Sequence, residues 1–420
     1  MAFRDHLADA HIPDQPVSCI HELFDMSTEL NHEMILANII ESPGHRSALN
    51  VLSRQRLCSA FDVTPGELID ILGWAMENPS QPMIVQTGPV MEISCNPISL
   101  SKLPIPHHYR QDRGRYMSAS IVIAEYDGVR NVSFHRQYLR DEQHLVARIV
   151  PRHLRTMLNN ARNNGDTVPI VIANGCDPVV LLAAAMSFDE NIDELTVASS
   201  LHQRYYGEPL PLIKMSNGIA APANAEYVMT AEITLDDDLE GPYVDITGTI
   251  DDERHEPVIK IHEIHHRKDP IFHSLIPAEA EHKALMGLPR APTIKSAVSK
   301  VTQCNDVFLT EGGCGWLSAV VSINPQSADD GKYAIEAALN GHKSMKSVTI
   351  VNPDIDVSDP VRVEWALMTR WQPDKDTIIL SNQKGSSLDP SRNSDGTTSK
   401  IGYDATLPPD VDIGPYTSVQ

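Results

Sequence analysis

The chain has 420 residues, 41% apolar and 21% charged, a globular balance that excludes extended disorder. At about 100–200 residues per domain it allows roughly two to four domains, and it can bury a large core without staples. Thirty-four Lys and Arg against 56 Asp and Glu give a formal charge of −22, which argues against nucleic-acid binding and obliges an anionic substrate to find a local basic pocket or a metal.

The N-terminal stretch has no apolar signal-like segment, and no apolar run approaches the ~20 residues of a membrane span. Cys19, Cys58, Cys95, Cys176, Cys304 and Cys314 form no CxxC pair and read as buried apolar side chains, so the expectation is a cytoplasmic protein. Residues 1–100 read as mixed α/β. Thr64 as N-cap, Pro65 at the first helical position and Glu67 two residues on predict a helix to Met76, followed by a strand at Met83. Pro97, Pro104 and Pro106 then mark a boundary. Strands at 120–126 and 129–136 around Asp127-Gly128 read as a hairpin. A helix over 151–164 should stop at Gly165, and a buried strand over 168–174 should lead into a helix capped by Asp177-Pro178. A short helix near Asp193 and strands at 225–235, 243–250 and 258–266 follow. Beyond Pro289 the order is helix (294–301), strands (306–309, 316–323), helix (329–339, closed by Asn340-Gly341), strand (347–351), helix (360–370) and strand (377–380). The tail from Ser386 to Gln420, rich in Ser, Pro, Asp and Gly, reads as a wrapping loop.

No Walker loop, GxGxxG, GxSxG or HExxH occurs. Four polar sets remain. Asn131 and Arg136 lie on the second hairpin strand, five apart, and so face opposite sides unless a bulge intervenes; Arg136 could fork onto a carboxylate, though a surface arginine is the plainer reading. Glu240 and Asp245 flank a Gly-Pro turn, where crowded carboxylates can leave one anion and one proton donor; the acidic run 236–240 before them reads as a solvated turn. His262, His265, His266 and His273 alternate through strands without a partnered carboxylate spacing, against metal ligation. Arg152 and His153 open a helix whose N–H groups could hold an anion, with an ordinary helix terminus the alternative.

The order of these motifs carries more than each alone. Asn131-x4-Arg136 precedes Pro151-Arg152-His153; Asp193-Glu194 follows Ala184-Ala185-Met186; and Pro222-Ala-Asn-Ala-Glu226-Tyr-Val precedes Glu240-Gly-Pro-Tyr-Val-Asp245. Glu281-His282, Asp354-Ile-Asp-Val, Trp365-Ala-Leu-Met-Thr-Arg370, Leu388-Asp-Pro-Ser and Ser399-Lys400-Ile-Gly-Tyr-Asp-Ala-Thr406 come after. In this order the chain resembles the UbiD family of reversible decarboxylases, which use prenylated FMN.

The resemblance implies a mixed α/β and α+β chain: an N-terminal α/β domain (1–100), a central flavin-binding split β-barrel (101–290) and a C-terminal α+β dimerisation domain with a wrapping tail (291–420). It implies a homodimer or higher homo-oligomer that takes its cofactor from a flavin prenyltransferase. Asn131, His153 and Glu194 would surround Mn2+, with K+ as a further candidate ion and His153 on either the metal or the cofactor phosphate. Ser133, Phe134, His135, Arg136, Arg152, His153, Ala184, Ala185 and Met186 would line the cofactor, and Lys400 would approach its phosphate. Arg136 would hold the substrate carboxylate, Glu240 anchor Arg136, and Asp245 deliver a proton to the carbon that loses CO2. Two departures stand out: Asp245 is Glu in many members, and Ala184 and Ala185 replace serines frequent in the phosphate-binding turn. The compact length resembles the archaeal branch, which implies decarboxylation of trans-anhydromevalonate 5-phosphate to isopentenyl phosphate. The alternatives are an aromatic substrate such as a 4-hydroxybenzoate derivative, a non-catalytic flavin- or metal-binding protein, and a hydride-transferring flavoprotein.

Overall fold

The computed structural model describes residues 2–188, 192–412 and 414–416. It divides into two units, Met1–Phe61 with Ala75–His282, and Asp62–Trp74 with Lys283–Gln420. No helix among the described residues is long and apolar enough to cross a membrane.

In the first unit the hairpin forms as its turn residues require. Ile121–Tyr126 pairs antiparallel with Val129–Phe134, and Asp127 (φ 52°) and Gly128 (φ 76°) both take the left-handed conformation of a two-residue turn. Alternate hairpin side chains enter a core with Leu145, Ile170, Ile172, Tyr227, Met229, Ile261 and Phe272. The hairpin ends a nine-stranded antiparallel sheet ordered Tyr116–Met117, Gln137–Leu139, His144–Ala147, Arg254–His266, Tyr227–Glu240, Val168–Asn174, Ile121–Tyr126 and Val129–Phe134, with Ile93–Ser94 added to Arg254–His266. Its path stays open among the described residues, with no pairing that closes it into a barrel.

Helix His153–Asn164 buries Leu154, Met157, Leu158 and Ala161, the spacing of one helical face, and stops at Gly165 (φ 79°). Helix Pro178–Ala185 buries all eight residues, and Asp177 caps it by accepting the Val179 N–H. Asp193 likewise caps a helix over Glu194–Tyr206, longer than the short one expected. The acidic run 236–240 is not a turn: it completes the Tyr227–Glu240 strand after a register shift between Ile233 and Asp237, with Asp236 and Asp237 exposed. The strand expected at 243–250 is instead two short strands, Tyr243–Val244 and Ile250–Asp251, paired with each other.

In the second unit a five-stranded sheet runs Gln303–Leu309, Ser318–Asn324, Ser347–Val351, Thr397–Ala405 and Thr377–Lys384. Helices Ala291–Ser299 and Asp330–Gly341 pack on Val321, Val348 and Ile350, while helix Pro360–Arg370 packs with Val320, Val351 and Ala405 on the opposite face. Helix Asp330–Gly341 runs through the Asn340-Gly341 pair expected to close it. The larger correction is the tail. Thr397–Ala405 is an interior strand, parallel to Ser347–Val351. Its buried positions are Thr398, Lys400, Gly402, Asp404 and Ala405, so the period of two is carried by polar or side-chain-free residues and no apolar alternation shows in the sequence. Gly402 fits because a Cβ there would lie 2.1 Å from Ile335 Cγ2. Thr64 and Glu67 exchange the expected capping bonds at the start of helix Pro65–Glu77.

Candidate active site

Strand Val129–Phe134 ends before His135 and Arg136, so Arg136 leaves the sheet in the link to Gln137–Leu139 and the strand-face rule no longer governs it. The chain excursion from Glu240 to Arg254 meets it there. Glu240 ends its strand directly opposite Arg254, and within the excursion Tyr243 pairs with Asp251. At its start Gly241 holds φ 85°, where a Cβ would lie 3.0 Å from the Asp252 carbonyl. Arg136 Nε and Nη2 donate to the two oxygens of Glu240 at 2.8 and 2.9 Å, a bidentate fork. Nη1 donates to Asp245 Oδ2 at 2.8 Å and Nη2 to Asp251 Oδ2 at 2.7 Å. The guanidinium lies 4.5 Å over the Tyr243 ring.

Side-chain exposure falls from 27% at Asp251 and 23% at Asp245 to 8% at Arg136 and 0% at Glu240. Burial opposes charge on Arg136, but its bonds with Glu240 and the charges of Asp245 and Asp251 outweigh this and hold its proton more firmly than usual. Burial also opposes charge on Asp251, and the Arg254 and Arg136 bonds outweigh it, keeping that carboxyl below its ordinary range. Nearby, burial pushes Asp112 up to about 6 although it accepts the Val244 and Tyr109 N–H groups. Tyr116, beside Glu240, accepts the Gly241 N–H through its hydroxyl.

A second cluster joins the hairpin to helix Glu194–Tyr206. The Asn131 amide donates to Glu194 Oε1 at 3.1 Å, and the Val132 N–H donates to Oε2 at 2.9 Å. Ser133 donates to Asn131 Oδ1 at 2.9 Å. Burial pushes Glu194 up to about 7, with those donors compensating only in part. Among the described residues no Lys, Arg or His forms an ion pair with it. Relative to an unfolded value of ~4.3, the native state therefore retains a proton that the unfolded chain has lost. Chelator-treated protein is expected to lose this stabilisation as pH rises from about 4.5 to 7, and Glu194→Gln to flatten that slope; urea midpoints across this range measure it.

His135 is buried and neutral near pH 7: burial, then Arg155, Arg152 and Arg148, push it down to about 4. Its Nδ1 faces the Arg148 carbonyl at 3.1 Å and so donates, leaving Nε2 an acceptor 2.9 Å from the Ser133 hydroxyl, whose single hydrogen lies between Nε2 and Asn131 Oδ1. Arg148 and Arg155 share the buried Glu256. Arg152, the helix N-cap, reaches Ser187 and is pushed down by burial. Ala184, Ala185 and Met186 are buried at the end of their helix, Phe134 is half-buried, and His153 is a half-buried first helical residue. Lys400 belongs to the second unit, where burial pushes it down and it donates to the Lys343 carbonyl.

Of the sequence-derived sets, Arg136, Glu240 and Asp245 meet, and so do Asn131 and Glu194. No group of three or more His, Cys, Asp and Glu forms a metal cluster among the described residues. His262, His265 and His273 face separate carboxylates, Glu232, Glu263 and Glu281. Cys19, Cys58 and Cys176 are buried, whereas Cys95, Cys304 and Cys314 are half-buried. Sequence reasoning missed Asp251, Tyr243, Asp112 and Tyr116 as parts of the site. The one signal for Asp251 was its place three residues before Arg254, on the return from the excursion that begins at Glu240.

An open antiparallel sheet thus presents an arginine to three carboxylates, and the chain matches the two domains of one class of carboxy-lyase. Residues 83–280 match the 3-octaprenyl-4-hydroxybenzoate carboxy-lyase Rift-related domain, and 283–405 match the C-terminal domain of the same enzymes. The chain belongs to the UbiD family of decarboxylases. It is 40% identical over 395 residues to the anhydromevalonate phosphate decarboxylase of Methanosarcina mazei, covering 93% of this chain and 91% of that one. The UbiD-class enzyme HmfF from Pelotomaculum thermopropionicum, solved in complex with FMN, matches with a TM-score of 0.94 at 30% identity, over 100% of this chain and 97% of that one. An evolved dimeric form of HmfF in complex with prFMN matches with a TM-score of 0.89 at 30% identity, over 98% and 96%.

Proposed function

We propose that this chain decarboxylates trans-anhydromevalonate 5-phosphate to isopentenyl phosphate and CO2 with a bound prenylated FMN. The observation that carries the reading is the convergence of Arg136, Glu240 and Asp245. The M. mazei relative, similar over 93% of this chain, supports the substrate, and HmfF with prFMN supports the cofactor.

The bond between the substrate carboxylate and its neighbouring carbon breaks, CO2 leaves, and one proton takes its place on that carbon. Arg136 holds the carboxylate, and Glu240, bonded to Nε and Nη2, fixes the guanidinium plane. Asp245, more exposed than Glu240 and bonded to one Nη1 hydrogen, is the proton donor. When bound, the prenylated flavin supplies the electron sink. Ser133, Phe134, His135, Arg152, Ala184, Ala185 and Met186 line it in this reading. A neutral His135 beside three arginines suits a cofactor carrying a phosphate.

Asn131 Oδ1 and the Glu194 carboxylate are hard oxygen donors, and Glu194 is a buried acid without a cationic side-chain partner among the described residues, so the pair fits Mn2+. His153 is the third ligand in this reading, and K+ a further ion for the same acid. The protein acts in the cytoplasm as a homodimer or larger homo-oligomer, and a flavin prenyltransferase supplies its cofactor.

Co-expression with a flavin prenyltransferase, followed by assay of both substrate types, tests the reading. Turnover of the phosphorylated unsaturated acid, with prenylated FMN identified by mass, is expected. Turnover of 4-hydroxybenzoates alone, or recovery of plain FMN with no turnover, overturns it.

A further inference from the structure

We infer that Asp251 is a positioning residue of this site, and that by saturating Nη2 of Arg136 it confines the substrate carboxylate to Nη1. The inference rests on the reading of Arg136 and Asp245 given above.

A guanidinium has five N–H groups. Glu240 takes the Nε hydrogen and one on Nη2, Asp251 takes the other Nη2 hydrogen, and Asp245 takes one on Nη1. The fifth hydrogen is therefore on Nη1. An incoming carboxylate must use that hydrogen and displace whichever acid is held least firmly. Glu240 is fully buried and bound at both oxygens. Asp251 is gripped from behind by Arg254, whose Nη2 lies 2.5 Å from Oδ1 and Nη1 3.1 Å from Oδ2, and Arg148 Nε stands 3.8 Å away. Asp245 has Arg136 as its one cationic partner among the described residues, and its other oxygen accepts the N–H of adjacent Ile246 at 2.6 Å, a bond that moves with it. Asp245 is thus the acid that yields.

The backbone fixes this order of firmness. Asp251 lies opposite Tyr243, the ring under the guanidinium, and Arg254 lies opposite Glu240. The clamp and its support therefore stand on the strands paired with those that carry the ring under the guanidinium and the buried anchor. Without Asp251 the Nη1 and Nη2 hydrogens form an open fork. A carboxylate gripped there at both oxygens binds at least as well but sits displaced from Asp245, and misplacement of about 1 Å costs roughly 10²-fold in rate.

The test is steady-state decarboxylation by holoenzyme of the wild type, Asp251→Ala and Asp251→Glu, with thermal unfolding of the flavin-free proteins as a folding control. Asp251→Ala is expected to lower kcat by about ten- to a hundredfold without raising KM, and Asp251→Glu to recover a large part of kcat. Wild-type kcat in Asp251→Ala overturns the inference alone. So does a raised KM with unchanged kcat, or an equal loss in the Glu variant when it melts like the wild type. A wild-type holoenzyme without turnover overturns the decarboxylase reading, and this inference with it.

Discussion

Asp245→Asn is expected to lower kcat by about 10²–10⁴-fold while leaving cofactor content unchanged. The amide is nearly isosteric and can still accept the Arg136 Nη1 hydrogen through its oxygen, so the bond at 2.8 Å survives in geometry. It carries no proton acidic enough to reach the carbon that loses CO2. The loss therefore falls on the chemical step and not on assembly of the site. Carbon dioxide release by holoenzyme, read beside the absorbance of its bound flavin, separates the two. A variant with wild-type kcat removes Asp245 from the reaction.

Glu240→Ala is expected to combine the largest loss of stability with loss of activity. Removing one partner of a buried ion pair leaves the other charge without compensation, at about 3–5 kcal/mol. Here the orphan is Arg136, 8% exposed, bound to a Glu240 side chain that is 0% exposed. Asp245 and Asp251 still face Arg136, which places the effect at the lower end, about 3 kcal/mol. Activity falls because Nε and one Nη2 hydrogen lose the acceptor that sets the guanidinium plane. Urea unfolding of the flavin-free protein measures the first effect and holoenzyme turnover the second. Glu240→Gln, which keeps one acceptor oxygen and the shape, should lie between Ala and wild type in stability. Equal stability of Glu240→Ala and wild type contradicts the pair's structural role.

Prediction along the chain succeeded where a few consecutive residues carry the whole signal. Asp127-Gly128 makes its turn because both positions tolerate positive φ, and Gly165 ends its helix for the same reason. Asp177 and Asp193 cap helices because a short side-chain acceptor reaches the free N–H two residues on. It failed where polar residues occupy buried positions. The Thr397–Ala405 strand buries Thr398, Lys400 and Asp404 in the middle of a sheet, so composition pointed to a loop. The Glu194–Tyr206 helix buries its first nine residues, several of them polar, so no apolar stripe in the sequence marks its length.

The site divides in the same way. Arg136, Glu240 and Asp245, and Asn131 with Glu194, could be named from the order of short motifs, because each acid or amide stands in a recognisable local string. That Arg136 meets Glu240 across 104 residues, or Asn131 meets Glu194 across 63, is not written in either string. Asp251 had no string of its own, and only the return of the chain beside Glu240 brings it to Arg136. Turns, caps and residue chemistry were thus determined by the sequence itself, since their energies act over a few bonds. Which charges face one another, and how firmly each is held, was decided by sheet register and burial. Coulombic strength depends on separation and on the exclusion of water, and both exist only once distant strands have paired.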